Sequence, residues 1–397
     1  MRVRVVSKKG FLRVLVLATL VAFVSQEALT QELASITPDD FSKRPDCTST
    51  NTNLCYNNPE FSNNIVRGKG VTHKRIKRWL NGRPAIVNII VVNPEAERLI
   101  IKPSYGSYKL NSVRRVKDLV TIENAIAGIN ASYFKPDTGV PLGASIVNGE
   151  ILTGPLYQRV VLGITEDNKF KMDKLDVSGE IKIGNNINLP LFNINQPVFS
   201  QTGFTVYTDR WGSRTPRTSQ YYCHIVVLDG KIQYIKQSSV LIPQGGFVVV
   251  GPRSKIPKGI IQQYDNVSYT VKLSPDDWSD VKYAVGGGPY LIKDGKVFID
   301  RQKFSKGFIS MKAPRTAVGY TKGGSLILVT VDGRQEGTSG ATLPELAKLM
   351  RELGAHNAMN LDGGSSTQMV YKGKVVNTPT TRGGNRVTNA LVIAPGY

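Results

Sequence analysis

Apolar residues in this chain gather in short runs rather than long ones. AIVNIIVV at 85–92 and SLILVTV at 325–331 have the length and β-branched content of buried strands. Shorter runs at 246–250, 283–285, 374–376 and 391–394 read the same way, with turns such as NGE, DGK and KGK between them. Two stretches have helical spacing, at 113–120 and at 342–354. The second, TLPELAKLMRELG, carries its own start and stop signals. Thr342 stands at the N-cap with Glu345 three residues on, Pro344 lies in the first turn and Gly354 ends the helix. Leu346, Leu349, Met350 and Leu353 share one face and belong to a core. Strands spread along the whole chain, with helices between some of them, predict an α+β fold: a β-rich mixed domain with a few helices packed on the sheet. No internal repeat of fixed period is visible.

The N-terminal segment follows a different pattern. Arg2, Arg4, Lys8, Lys9 and Arg13 precede an almost unbroken apolar stretch at 14–24, and small or polar residues follow at 25–30. That order is the pattern of an export signal, and the stretch is shorter than the ~20 residues that span a bilayer. Residues 1–30 are therefore expected to be a signal peptide, either removed or kept as an anchor. The mature chain is then expected outside the cytoplasm: secreted, periplasmic or in the cell envelope. Residues 31–70 read as a polar linker, in which Cys47 and Cys55 flank the loop TSTNTNL and are expected to pair in an oxidising compartment. Residues 71–397 form the remaining domain.

Composition narrows the class. With 397 residues, 41% hydrophobic and 20% charged, the chain has enough apolar material for a large core, which excludes wholesale disorder. Three Cys cannot make a disulfide scaffold, and three widely spaced His argue against a His-rich metal site. Cys223, in YYCHIVVL, is expected to be a buried free thiol, since adjacent strand residues point to opposite faces and His224 cannot activate it. The formal net charge is +21; outside residues 1–30 the balance is still 46 basic to 29 acidic side chains. The densest basic run, KGVTHKRIKRWLNGR at 69–83, has no nucleic-acid-binding pattern with it and reads as a solvated face. Its partners would be acidic glycans or phospholipid headgroups rather than nucleic acid, so a peripheral contact with anionic membrane or polysaccharide is allowed.

The chemistry-bearing residues fall in four glycine-containing segments: GINASYF at 128–134 followed by PLGASIVNGE at 141–150; GGGPYLIKDGK at 286–296; APRTAVGY at 313–320 leading to VDGRQEGTSGAT at 331–342; and HNAMNLDGGSSTQMV at 356–370. Each puts polar groups beside a strand end. Glycine there admits positive φ and close backbone approach to a ligand, and backbone N–H groups in such turns form anion-binding nests. The last segment is the most concentrated. Asp362, next to a Gly pair and three hydroxyl residues, suits a catalytic base, a nucleophile or a cation ligand; an Asx turn ending a hairpin is the structural alternative.

NLDGGSST, with RTAVG, VDGR, GINASYF and GGGP in order before it, resembles the phosphodiester glycosidase family over roughly residues 75–397. The family often has a third glycine where Ser365 stands, and glycines where Ala131 and Ser132 stand. The resemblance implies hydrolysis of a sugar-1-phosphodiester at the glycosidic carbon, the substrate being an N-acetylglucosamine-1-phosphodiester-like glycoconjugate or an envelope polysaccharide. Phosphate monoester is a weakly basic leaving group, so the site needs donors around the phosphate and a carboxylate at the anomeric carbon more than a strong general acid. On this reading Asp362 and Asp332 are the catalytic carboxylates and Arg315 grips the phosphate. Asn130 and Asn360 orient hydroxyls or a water, and Gly363, Gly364, Ser366 and Thr367 line the phosphate site. Arg334, Arg382 and Arg386 are secondary anion contacts.

Structural alternatives accompany these roles: an Arg315–Asp332 ion pair, a hairpin turn at Asp332, and a glycosylation sequon at Asn130. No cofactor is required, though Ca²⁺ on Asp332 or Asp362 is allowed. The competing function is a non-catalytic envelope protein that binds acidic polysaccharide through its basic surface.

Overall fold

The computed structural model describes residues 70–95, 98–257, 259 and 261–396. The expected signal segment, the polar linker and the Cys47–Cys55 pair lie outside the described residues. Within them the α+β expectation holds: four sheets, antiparallel but for one strand pair, carry a few short helices.

The largest runs seen in the sequence become neighbours. Arg83–Val92 pairs antiparallel with Leu326–Val331, which pairs with Arg315–Tyr320, then Asn357–Asn360, Tyr290–Lys293 and Lys296–Val297. The basic run forms the edge strand of this sheet, Val71–Leu80, hydrogen-bonded to Arg83–Val92. It exposes Lys74, Arg75 and Lys77 while Ile76 and Leu80 pack on the core. Charges on an edge strand protect its unpaired backbone from pairing with another chain. A second sheet has the order Lys374–Val375, Met369–Tyr371, Ala127–Asn130, Asn389–Pro395, Leu99–Tyr105.

These two sheets stack face to face. Ile90, Val318, Leu328 and Met359 of the first meet Ile129, Leu391 and Ile393 of the second in one dry core. Alternation puts Val87, Ile89, Ala317, Ile327 and Val329 on the opposite face, where Leu346, Leu349 and Met350 of the helix Leu343–Glu352 cover them. Val370, Ala390 and Val392 are covered in the same way by Val116, Leu119 and Val120 of the helix Val116–Ile122. The layers run helix, sheet, sheet, helix.

The shorter helix was expected at 113–120 and begins later, because residue 114 is in a β-bridge with Val387. The longer one has the capping box the sequence announces: the Glu345 N–H donates to Thr342 Oγ1 (3.3 Å) and the Thr342 N–H to Glu345 Oε2 (2.8 Å). Thr342→Ala is expected to cost about 1–2 kcal/mol, read from the urea midpoint, since an N-cap hydroxyl satisfies an otherwise orphaned helix N–H.

The stacked sheets are two copies of one motif. Each has a strand, a helix, a returning strand, a hairpin and a closing strand: Leu99–Tyr105, Val116–Ile122 and Ala127–Asn130 in the first copy, Leu326–Val331, Leu343–Glu352 and Asn357–Asn360 in the second. Both helices end on a residue in the left-handed region, Asn124 (φ 47°) and Gly354 (φ 86°). The next N–H then bonds back into the helix, Ala125 to Val120 (2.9 Å) and Ala355 to Met350 (3.0 Å). The hairpin Tyr290–Lys293/Lys296–Val297 and the strand Arg315–Tyr320, which complete the first copy in sequence, join the second copy's sheet. Met369–Tyr371/Lys374–Val375 and Asn389–Pro395 join the first copy's sheet in exchange. No fixed period shows in the sequence, because the first copy carries two further sheets between its returning strand and its hairpin.

Of those two, one is five-stranded and closes the central core with Leu162, Ile164 and Val285. The other is seven-stranded with its own core of Ile181, Phe204, Ile225 and Val249. Cys223 lies in that core as a free thiol, pushed up to about 11 by burial, while His224 faces the other way between the Thr215 and Thr218 hydroxyls. The structural reading of Cys223 stands.

Candidate active site

Antiparallel register brings the polar segments to one end of the two stacked sheets. Arg315 lies opposite Val331, so Asp332 follows immediately beyond it; Ala317 lies opposite Asn360, and Asn130 opposite Ala390. Asp362 leaves its strand two residues after Asn360, at this same end.

Asp362 is half-buried and its loop is tied down on every side. Its N–H donates to the Ala131 carbonyl (3.0 Å), and its carbonyl accepts from Asn130 Nδ2 (2.6 Å). The carboxylate accepts from the Gly363 N–H (3.0 Å) and from Ser366. Burial pushes its pKa up to about 6, against the downward pull of those two donors. A carboxyl poised there holds both protonation states near neutral pH, as a general base or acid requires. The two glycines have steric reasons. A Cβ at Gly363 would lie 2.9 Å from the Pro314 carbonyl oxygen, and Gly364 has φ +62°.

Asn130 is wholly buried: besides its bond to Asp362, its Oδ1 accepts from the Thr316 hydroxyl (2.8 Å) and the Gln368 N–H (3.0 Å). Asn360 is equally buried, with Nδ2 donating to the Tyr133 hydroxyl (2.6 Å) and to the Gly288 and Leu361 carbonyls. Thr367 is buried and accepts from Thr316 (3.4 Å). These residues brace the Asp362 loop from within.

Arg315 is 2% exposed. Its Nε donates to the Ala341 carbonyl (3.0 Å) and its Nη2 to the carbonyls of Phe308 (2.8 Å) and Met311 (2.6 Å). Only Nη1 is outside these bonds. Burial, with Arg334 adding repulsion, brings its pKa down to about 10, so it remains a cation. The structural alternative for Arg315, an ion pair with Asp332, does not form. Asp332 instead accepts from Asn377 Nδ2 (3.3 Å) and the Thr378 N–H (3.1 Å), and its carbonyl accepts from the Thr338 hydroxyl (2.7 Å). Burial raises its pKa. It reaches the Asp362 loop only through Asn377, which also donates to the Thr367 carbonyl (3.1 Å).

Three further groups lie at this site: Tyr133 within GINASYF, Arg334 within VDGR, where it was expected as a secondary anion contact, and Arg159, which carried no motif. Tyr133 donates to the Gly288 carbonyl (2.9 Å), and its pKa is raised by burial and by the charge of Asp362. Arg159 lies over Phe304 at 4.2 Å and over Tyr133 at 5.1 Å, with its Nε buried and unpartnered. Arg334, exposed and in the left-handed region (φ 59°), brings Nη1 within 3.4 Å of where a Cβ on Gly364 would sit. Tyr133 was legible within GINASYF, next to residues that were singled out. Arg159, in PLYQRVVL, had no signal. The arrangement places one carboxylate of raised pKa on a loop whose glycines Arg315 and Arg334 approach, near Tyr133, over which Arg159 lies: a setting that can receive an anionic group beside the carboxylate.

Comparison with known proteins finds similarity over part of the chain. Residues 222–394 match the family model described as phosphodiester glycosidase. An SPbeta prophage-derived protein of Bacillus subtilis is 35% identical over 107 residues, 27% of this chain and 16% of that protein. The N-acetylglucosamine-1-phosphodiester alpha-N-acetylglucosaminidase of Mus musculus is 34% identical over 108 residues, 24% of this chain and 20% of the enzyme. The matches thus span less than a third of the length of these curated relatives. Among solved structures, a hypothetical protein from Synechocystis superposes with a TM-score of 0.74 at 25% identity, covering 82% of this chain and 62% of that one. An exported protein from Burkholderia pseudomallei shares the fold, with a TM-score of 0.67 at 20% identity over 79% of this chain and 74% of that one. By the family model and these sequence relatives together, part of the chain, residues 222–394 in the family model, is similar to the phosphodiester glycosidases.

Proposed function

We propose that the protein hydrolyses the glycosidic bond of a sugar-1-phosphodiester, with Asp362 acting at the anomeric carbon. The observation that carries this reading is the Asp362 carboxyl, lifted to about 6 on a braced loop whose glycines Arg315 and Arg334 approach, with Arg159 over the neighbouring Tyr133. In the reaction, the bond from C1 to the phosphate oxygen breaks and the electron pair leaves with the phosphate monoester. Ionised Asp362 takes a proton from the attacking water, whose oxygen ends on the sugar. Arg334 is exposed beside Gly364 and is the guanidinium best placed to receive phosphate oxygens from solvent; Arg315 adds charge from behind, since most of its donors hold the backbone. Asn130 and Asn360 act as positioning residues, and Asp332 secures the 377–378 segment. The pattern at 1–30 supports action outside the cytoplasm.

The test is release of reducing sugar by the full chain from a panel containing UDP-N-acetylglucosamine and an α-N-acetylglucosamine-1-phospho-sugar, in ¹⁸O water. The label is expected in the sugar; label in phosphate would mean P–O cleavage instead. Silence across the panel, with glycan binding intact, would favour a polysaccharide-binding protein. Arg334→Ala is expected to raise KM about tenfold with kcat changed less than threefold, as loss of a largely uniform charge contact does.

A further inference from the structure

We infer that a second anion site stands beside the Asp362 loop and that the substrate is a glycan carrying more than one phosphate, an inference that rests on the function proposed above. Arg114, Arg115 and Arg386 line a hollow of about 300 Å³ together with Asp118 and Ile122. Its geometry follows from the bridge between residue 114 and Val387, where each backbone N–H donates to the other's carbonyl (2.9 and 2.7 Å). Arg115 and Arg386 flank that bridge, one on each of the two paired segments. Three exposed guanidinium groups face one carboxylate, an arrangement that repels itself until an anion enters.

The hollow is joined to the active site through one buried side chain, Gln368. Gln368 Nε2 donates to the Asn385 carbonyl (2.6 Å), next to Arg386, and to the Ser366 carbonyl (3.4 Å), whose residue binds Asp362. Its Oε1 accepts from the Val116 N–H (3.4 Å), next to Arg115, and its own N–H donates to Asn130 (3.0 Å). Arg115 Nε further holds the Gly384 carbonyl (3.3 Å), and Gly384 packs so tightly on Gln368 that a Cβ there would meet Oε1 at 2.1 Å. One residue therefore separates the hollow from the loop that carries Asp362. For a glycan with a phosphodiester at Asp362, this hollow offers a second phosphate the bidentate Arg contacts that recognise it.

Two synthetic oligomers of N-acetylglucosamine α-1-phosphate, one with a single phosphodiester and one with two, would be titrated calorimetrically into the full chain carrying Asp362→Asn, which prevents turnover. The two-phosphate ligand is expected to bind at least tenfold more tightly. Arg114→Ala/Arg115→Ala should erase that advantage, and Asp118→Asn, which removes the opposing charge, should at least double it. The last change has the wrong sign for a merely structural effect, and Arg114→Ala/Arg386→Ala, at exposed positions and sparing the Arg115 bond to Gly384, should erase the advantage as well. Equal binding of the two ligands, or an advantage that survives either double substitution, would overturn the second site. Preserved advantage without sugar release by the wild-type chain would instead remove the proposed reaction and leave the hollow as an anion site.

Discussion

Asp362→Asn is expected to abolish sugar release while making the folded protein more stable at neutral pH. The loss should be about 10²–10⁴-fold in kcat, the usual contribution of a positioned general base. The gain follows from linkage. The Asp362 pKa rises on folding from 3.8 to about 6, so the folded state binds the proton more tightly than the unfolded one. The stabilisation this gives is complete below pH 3.8 and is lost as pH rises through 6. At pH 7.5 the ionised carboxylate therefore sits in a place that disfavours it, at a cost of up to about 3 kcal/mol at 1.36 kcal/mol per pKa unit. Asparagine keeps an acceptor for the Gly363 N–H and carries no charge. Its thermal midpoint should exceed wild type at pH 7.5, with the difference shrinking towards pH 4. Wild-type kcat/KM should rise between pH 5 and 7 with an inflection near 6, since the base is the ionised form. Retained activity in the variant, or a flat profile over that range, would remove Asp362 from the chemistry.

Asn130→Ala is expected to destabilise the fold by about 3–5 kcal/mol, the range for breaking a buried hydrogen-bond network. The asparagine is wholly buried and satisfies three groups at once: the Asp362 carbonyl, the Thr316 hydroxyl and the Gln368 N–H. Alanine leaves all three without that partner, in a place water does not reach. The urea midpoint should fall with an unchanged slope, which would assign the effect to stability rather than to the denatured state. A change under 1 kcal/mol would mean that the Asp362 loop is held by other contacts.

Much of the frame could be read from the sequence, because its signals are local. Alternating or continuous apolar runs mark strands wherever one or both faces are buried, and Thr342, Pro344, Glu345 and Gly354 mark a helix without reference to anything distant. The strand Val71–Leu80 was hidden because an edge strand facing solvent can carry Lys and Arg at positions a central strand could not. At the site, motif glycines and Asp362 were legible, whereas the separation of roles among the polar residues was not. Nothing local distinguishes an Asn that meets substrate from one such as Asn130 that braces a loop 232 positions along the chain. Arg315 illustrates the same limit. An arginine beside a strand suits a phosphate, but the carbonyls of Phe308, Met311 and Ala341 that occupy it come from turns whose approach only the tertiary fold decides. The duplication was masked for a different reason: it is a likeness of strand order, and the long insertion in one copy removes any constant spacing.

The exchange of strands between the two motif copies also constrains when the site can form. Asn389–Pro395 lies between Leu99–Tyr105 and Ala127–Asn130, so the sheet that ends in Asn130 is split until a segment more than 250 positions later arrives. A nascent chain that has emerged only as far as the helix Leu343–Glu352 has two open strand edges where that segment belongs, and no Asp362 loop. Such edges invite pairing with other chains, and closures over so long a separation are slow. Vectorial synthesis thus yields no partly active intermediate. The chain must be kept from aggregating until it is nearly complete, a condition well matched to any route that delivers it unfolded and lets it close in one step.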